Sequence, residues 1–286
     1  MYIPEEKFSL WADFIERDYL DNGFKALIKE GIINGATSNP SIFKSAILTS
    51  PAYQRQIEEL SGLDAKAKYE ALAIYDIQKA ADILRPLYDK GDDGYVSIEV
   101  DPMLCDDTAA TVDEGRRLYK MIDRPNVMIK VPATEAGYGA MRALVSDGIA
   151  VNATLVFSKE QALAAADAFA EGQKEGASVD TVISVFVSRI DRALDTELAA
   201  NGITPALAGI YNAAAPATPC TRDGLMWGLR SMTDRPVTFF WPSWALLEES
   251  GFNTPMMRSG ERRVEFLNAA SIEAGWLSKP CTSTRS

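Results

Sequence analysis

The chain has 286 residues, 47% hydrophobic and 24% charged, which is enough apolar material for one large core and suits an α/β barrel of about 250 residues as a single domain. A net charge of −11 argues against nucleic acid or an anionic membrane as partner, and no apolar run approaches the roughly 18 residues that would cross a bilayer. Histidine is absent, which excludes Ser-His-Asp and Cys-His catalysis and the usual His-ligated zinc site, so chemistry must rest on lysine, carboxylates, hydroxyls or a cofactor.

Short apolar segments alternate with amphipathic ones along the chain. Strands are predicted at 8–14 (FSLWADF), 33–39 (INGATSN), 94–102 (GYVSIEVDP), 126–132 (NVMIKVP), 149–157 (IAVNATLVF), 181–187 (TVISVFV) and 236–242 (PVTFFWP), with a weaker eighth at 252–257 (FNTPMM). Helices are predicted at 65–84, 110–122, 135–148 and 159–172, several of them reaching a Gly suited to a C-cap. Repeated βα alternation implies a parallel sheet, and no Gly-rich phosphate loop follows the first strand. The pattern therefore favours a closed (β/α)8 TIM barrel over a doubly wound sheet, with residues 1–286 forming one domain. The marked irregularity is NAAAPATPCTRDG at 212–224, where Pro216 and Pro219 delay the expected helix to about Thr221.

Lys130 sits in the middle of NVMIKVPAT (126–134), a run that reads as a buried strand. Dehydration favours the neutral form of an amine, and a neutral amine is a nucleophile toward carbonyls. Side chains alternate between the faces of a strand, so Val127, Ile129 and Val131 face the helices while Met128 and Lys130 face the barrel axis. The same division places Trp11, Asp13, Thr37, Asn39, Ser97, Glu99, Asp101, Asn152, Thr154, Ser184 and Phe186 inward, and Val151, Ala153 and Leu155 outward. Six consecutive strands thus carry a polar inward residue near their C-terminal ends. Polar groups cost stability in a barrel interior unless they are paired, so such a convergence reads as an active site. Asp101 also suits a loop or helix cap, and Trp11 and Phe186 suit the wall.

WADF (11–14), GATSNPSIF (35–43), SIEVDPML (97–104), NVMIKVPAT (126–134), VNATLVFS (151–158) and ISVFVSRID (183–191) resemble, in order, the strand-end motifs of transaldolase. The resemblance covers roughly residues 8–195. It implies a (β/α)8 barrel with extra N-terminal helices, and a cofactor- and metal-independent class I enzyme that moves a dihydroxyacetone unit from a ketose phosphate to an aldose phosphate. It further implies Lys130 as the Schiff-base lysine and Asp13 as the acid/base at the breaking C–C bond. Glu99 and Thr154 would work through a catalytic water. Asn39 and Asn152 would bind the dihydroxyacetone hydroxyls beside Thr37, Ser184 and Phe186, and Arg189 would take the phosphate. Its partners would be small sugar phosphates, with the chain a monomer or homodimer.

From about residue 196 to 286 the chain departs from the family pattern. Ser243 stands as the counterpart of a phosphate-gripping serine, but Trp244, Ala245 and Leu246 follow it and no Lys or Arg is near. Two alternatives stay open: a fructose 6-phosphate aldolase type of enzyme that releases free dihydroxyacetone, and a catalytically impaired sugar-phosphate-binding barrel. Phe186 has no hydroxyl with which to donate a proton, which favours transfer over release. Cys105, Cys220 and Cys281 are odd in number and form no CxxC, and MYIPEEKFSL lacks the basic flank and apolar core of a signal peptide. Both features lead to the expectation of a cytoplasmic protein with reduced thiols.

Overall fold

A computed structural model of the chain describes residues 2–3, 8–176, 178–186, 200 and 238–240. Two short strands, β1 (Tyr2–Ile3) and β2 (Phe8–Ser9), pair antiparallel as a ribbon. Seven more form one parallel sheet: β3 (Trp11–Ala12), β4 (Gly35–Thr37), β5 (Val96–Glu99), β6 (Val127–Pro132), β7 (Val151–Val156), β8 (Thr181–Val185) and β9 (Thr238–Phe240), each beside its predecessor. The segment predicted as one strand at 8–14 is therefore divided, β2 joining the ribbon and β3 the sheet. The predicted strand at 252–257, the stretch 212–224, Arg189, Ser243, Cys220 and Cys281 lie outside the described residues.

Helices occupy the crossovers. After β3 come α1 (Arg17–Tyr19), a π turn (Leu20–Phe24) and α2 (Lys25–Lys29). After β4 come α3 (Pro40–Thr49), α4 (Gln54–Glu59) and α5 (Ala65–Tyr88), so this crossover is longer than the rest. Then α6 (Thr108–Ile122), α7 (Glu135–Ser146) and α8 (Lys159–Glu175) each follow one strand. Side-chain caps fix their starts: Asp64, Asp107 and Thr134 accept backbone N–H bonds, and Ser158 forms a capping box with Gln161. None of the described helices is long and apolar enough to cross a membrane.

Period-two alternation divides the apolar residues between the sheet's two faces. Val96, Ile98, Val100, Val127, Ile129 and Val131 join the helices in the main core, with Met141 and Leu144 of α7 among their partners. On the other face Trp11, Tyr95, Met128, Ala150 and Val182 form a second apolar cluster. Trp11 belongs to β3 and Val182 to β8, so one apolar cluster runs across the concave face from β3 to β8. Glycine permits the closest approach there: a Cβ on Gly35 would lie 2.4 Å from the Trp11 indole nitrogen.

Beneath this floor the Asp93 carboxylate accepts hydrogen bonds from Ser9 Oγ and the Trp11 indole N–H, tying the N-terminal ribbon to the loop before β5. The Tyr95 hydroxyl donates to Asp180 at 2.9 Å nearby. Burial pushes the Asp93 carboxyl up to about 6, and the Asp180 charge adds to it against the opposing hydrogen bonds from Ser9, Trp11 and the Tyr95 backbone. A raised carboxyl pKa means that the fold prefers the protonated acid. Its contribution to stability is thus complete below the ordinary value of 3.8 and is lost as pH rises through about 6. Urea unfolding of wild type and Asp93→Asn from pH 4 to 7 is expected to show the wild type losing stability relative to the variant across that window. A pH-independent difference would refute this origin.

Candidate active site

Lys130 occupies the centre of β6, whose six residues are all buried because helices cover one face and the curled sheet the other. Parallel pairing sets Glu99 of β5 and Asn152 of β7 on the same rung as Lys130, all three on the concave face. The lysine is 4% exposed. Its Nζ donates to the Ser38 carbonyl at 2.9 Å, and Glu99 Oε2 stands 3.9 Å away. That carbonyl is held in place from β5: Ser38 Oγ donates to Ser97 O at 2.9 Å, and Thr37 Oγ1 and Ser97 Oγ share a hydrogen bond of 2.7 Å. Helix α7 can press against the end of β6 because residue 137 is glycine, where a Cβ would meet Pro132 O at 2.0 Å.

On the other side of the lysine, Ser184 Oγ donates to Asn152 Oδ1 at 2.7 Å. This bond fixes the amide's orientation and leaves Asn152 Nδ2, fully buried, with no partner among the described residues; Thr154 Oγ1 is in the same position. Burying a donor or hydroxyl without a partner costs about 1–3 kcal/mol. Two such groups beside a buried amine are what a site for a polar ligand requires.

The sheet register shifts between Ala153 and Val156, because β7 carries one residue more than β8 there, and Leu155 takes a φ of 58°. The bulge corrects the expectation that Leu155 faces the helices. Val156 enters the main core instead, with Val151 and Ala153. The next residue, Phe157, meets Phe186 with ring centroids 5.7 Å apart. Bulges often re-aim side chains beside active sites, at the cost of local strain.

The family model described as Transaldolase/Fructose-6-phosphate aldolase matches residues 10–231. The chain belongs to the transaldolase/fructose-6-phosphate aldolase family. Among curated relatives, a protein named Transaldolase from Campylobacter jejuni subsp. jejuni serotype O:23/36 (strain 81-176) is 50% identical over 202 residues, 66% of this chain and 62% of its own. Another of that name from Helicobacter pylori (strain Shi470) is 50% identical over 210 residues, 73% of this chain and 64% of its own. The chain thus spans less than two thirds of the length of these relatives.

In this member of the transaldolase/fructose-6-phosphate aldolase family, the residues singled out from the sequence sit on successive strands or just past them, with Lys130 in mid-strand and Asn152 near the start of β7 rather than at a C-terminal end. Asp13 follows β3 directly, and Thr37, Asn39, Glu99, Lys130, Asn152, Thr154 and Ser184 follow in order, with Phe186 one residue past β8. The Asp13 loop is pinned just beyond by Arg17, whose Nε donates to the fully buried Asp76 at 2.9 Å. The Arg17 guanidinium also lies over the rings of Tyr53 and Tyr75, 4.5 Å from each centroid. Asn39 caps α3, its Oδ1 accepting from Ile42 N at 2.9 Å, which leaves its amide N–H groups as the donors available to a ligand. Asp101 serves as a cap, accepting from Met103 N at 2.9 Å and pairing with Lys66.

Three contributors take roles that the sequence pattern does not specify, although it does place Ser97 on the inward face. The Ser38 carbonyl holds the lysine, yet backbone groups carry no letter. Ser97 braces the Ser38 carbonyl and Thr37 from one strand away. Phe157 meets Phe186 just beyond the bulge, which the letters do not mark. Among the described residues no group of three or more His, Cys, Asp and Glu could hold a metal ion.

Proposed function

We propose that this chain is a Schiff-base transaldolase that moves a dihydroxyacetone unit from fructose 6-phosphate or sedoheptulose 7-phosphate to an aldose phosphate acceptor. The single observation that carries the reading is the Glu99–Lys130–Asn152 rung: a buried amine with a carboxylate at 3.9 Å on one side and, on the other, an amide donor without a partner among the described residues. Curated relatives that bear the name Transaldolase support it. The curled, sequentially ordered sheet supports closure into a (β/α)8 barrel by an eighth strand.

The mechanism follows from the groups present. The Lys130 amine adds to the ketose C2 carbonyl, and the carbinolamine then expels its oxygen as water with a proton relayed by Glu99. The sum is one carbonyl and one ammonium giving one iminium and one water, with no net proton. The iminium is an electron sink for the C3–C4 bond. Asp13 takes the proton of the C4 hydroxyl as that bond breaks, releasing an aldose and leaving an enamine on Lys130. The enamine adds to the acceptor aldehyde, Asp13 returns its proton, and hydrolysis restores the amine. Asn152 Nδ2 and the Asn39 amide donate to the dihydroxyacetone hydroxyls, and Ser184 holds Asn152 in register.

Phe186 offers a phenyl ring where a phenol could have protonated the enamine, which favours transfer over release of free dihydroxyacetone. A coupled assay with fructose 6-phosphate, with and without erythrose 4-phosphate, tests this: acceptor-dependent turnover is expected, and equal turnover without acceptor would favour the aldolase reading. Arg189 is assigned to the phosphate. Arg189→Ala is expected to raise KM for fructose 6-phosphate by roughly 10 to 150 fold, the equivalent of about 1.5–3 kcal/mol for one charge-assisted contact, and to leave unphosphorylated ketoses little changed. An equal effect on both ketoses, or on neither, would place the phosphate elsewhere. Sugar phosphates as partners, a monomer or homodimer and a cytoplasmic location complete the proposal.

A further inference from the structure

A pocket of about 340 Å³ approaches the site from the side, between the start of α3, the helices α5 and α6, and the loop after β5. Tyr69 and Ala73 of α5 and Leu118 of α6 form its walls, and Ser38, Asn39 and Glu99 line the end where it adjoins the active site, while Lys130 is not part of its lining. At the rim Met103 is 86% exposed, and the Lys66–Asp101 ion pair joins α5 to the loop. Glu99 therefore has two sides, one toward the buried amine and one toward a solvent-connected space off the barrel axis. Burial pushes the Tyr69 phenol up to about 12, the Glu99 charge adding to it, so a neutral hydroxyl lines the way.

The reaction proposed above must release a water each time the iminium forms and take one up each time it is hydrolysed. A sugar phosphate occupies the concave mouth during both steps. The 3.9 Å between Lys130 Nζ and Glu99 Oε2 exceeds a direct hydrogen bond and suits a shared water. We infer that the side pocket is the water route of this active site, with solvent reaching Glu99 past Tyr69 through an entrance other than the concave mouth and meeting the sugar's site only at its inner end, by Asn39. Resting on the Schiff-base reading, the inference gives the pocket a defined step: water oxygen bonds to C2, the C2–N bond breaks, and the amine leaves protonated.

The test fills the pocket from two walls independently, with Ala73→Phe and Leu118→Phe. Enzyme-catalysed uptake of 18O from labelled water into the C2 carbonyl of fructose 6-phosphate is measured by mass spectrometry. Single-turnover release of glyceraldehyde 3-phosphate from the formed imine reports the C–C step. Both variants are expected to slow 18O uptake by roughly tenfold or more with little change in the C–C step. Dihydroxyacetone, which leaves the mouth open, should lose much less. Equal loss of both steps, or unchanged 18O uptake in variants whose thermal unfolding matches wild type, would overturn the route. A wild-type enzyme that catalyses no 18O uptake at all would overturn the Schiff-base reading itself, so the two failures are distinguishable.

Discussion

Lys130→Ala is expected to lose essentially all transfer activity, on the order of 10⁴-fold or more, because no neighbouring group can take over as the covalent electron sink. Borohydride reduction in the presence of fructose 6-phosphate should fix a six-carbon or three-carbon adduct on wild type, and peptide mapping should place it at residue 130. The variant should carry none. Lys66, the other lysine near Glu99, is the natural control: its side chain is 71% exposed and paired with Asp101. An adduct at Lys66, or at any lysine but 130, would overturn the assignment. Lys130→Arg would not restore activity, since a guanidinium keeps its charge and offers no lone pair at these pH values.

Asp13 and Glu99 are expected to fail at different steps, each by about 10² to 10⁴ fold. Asp13→Ala should still form the imine and accumulate it, since the group lost acts only as C3–C4 breaks. Glu99→Ala should form the imine slowly and then cleave it at a nearly normal rate, since the group lost relays protons through water beside Nζ. Rapid-quench borohydride trapping, followed over time in both variants, separates these outcomes. Identical trapping curves would mean that the two carboxylates act as one unit and would end the division of labour.

How much of this site was legible in the sequence depended on whether a residue's role follows from strand periodicity. Lys130 and Met128 against Val127, Ile129 and Val131 is a clean alternation, and the structure keeps it on every one of those residues. Leu155 breaks it. A bulge inserts one residue without changing the apolar run LVF, so nothing in the letters marks where Val156 and Phe157 exchange faces. The helices between β4 and α5 were also missed, because PSIFKSAILT mixes β-branched residues with a weak stripe and takes its start from an Asn cap and Pro40. Helix α5 runs four residues beyond its predicted end, through Pro86 in its last turn, where tertiary packing outweighs one lost hydrogen bond. The carbonyl of Ser38 and the brace at Ser97 depend on neighbouring strands, and only the fold brings them to the lysine.

Each strand of the parallel sheet lies beside the one made just before it. Glu99 on β5, Lys130 on β6 and Asn152 on β7 are therefore made in the order in which they stand side by side, so the rung is built from neighbouring segments of the chain. In the finished sheet the amine lies between its two sequence neighbours, with the carboxylate on the strand before it and the amide on the strand after it. A lysine dehydrated alone would carry a steep desolvation cost, and a sheet in which each strand lies beside its predecessor supplies the partner from the adjoining strand.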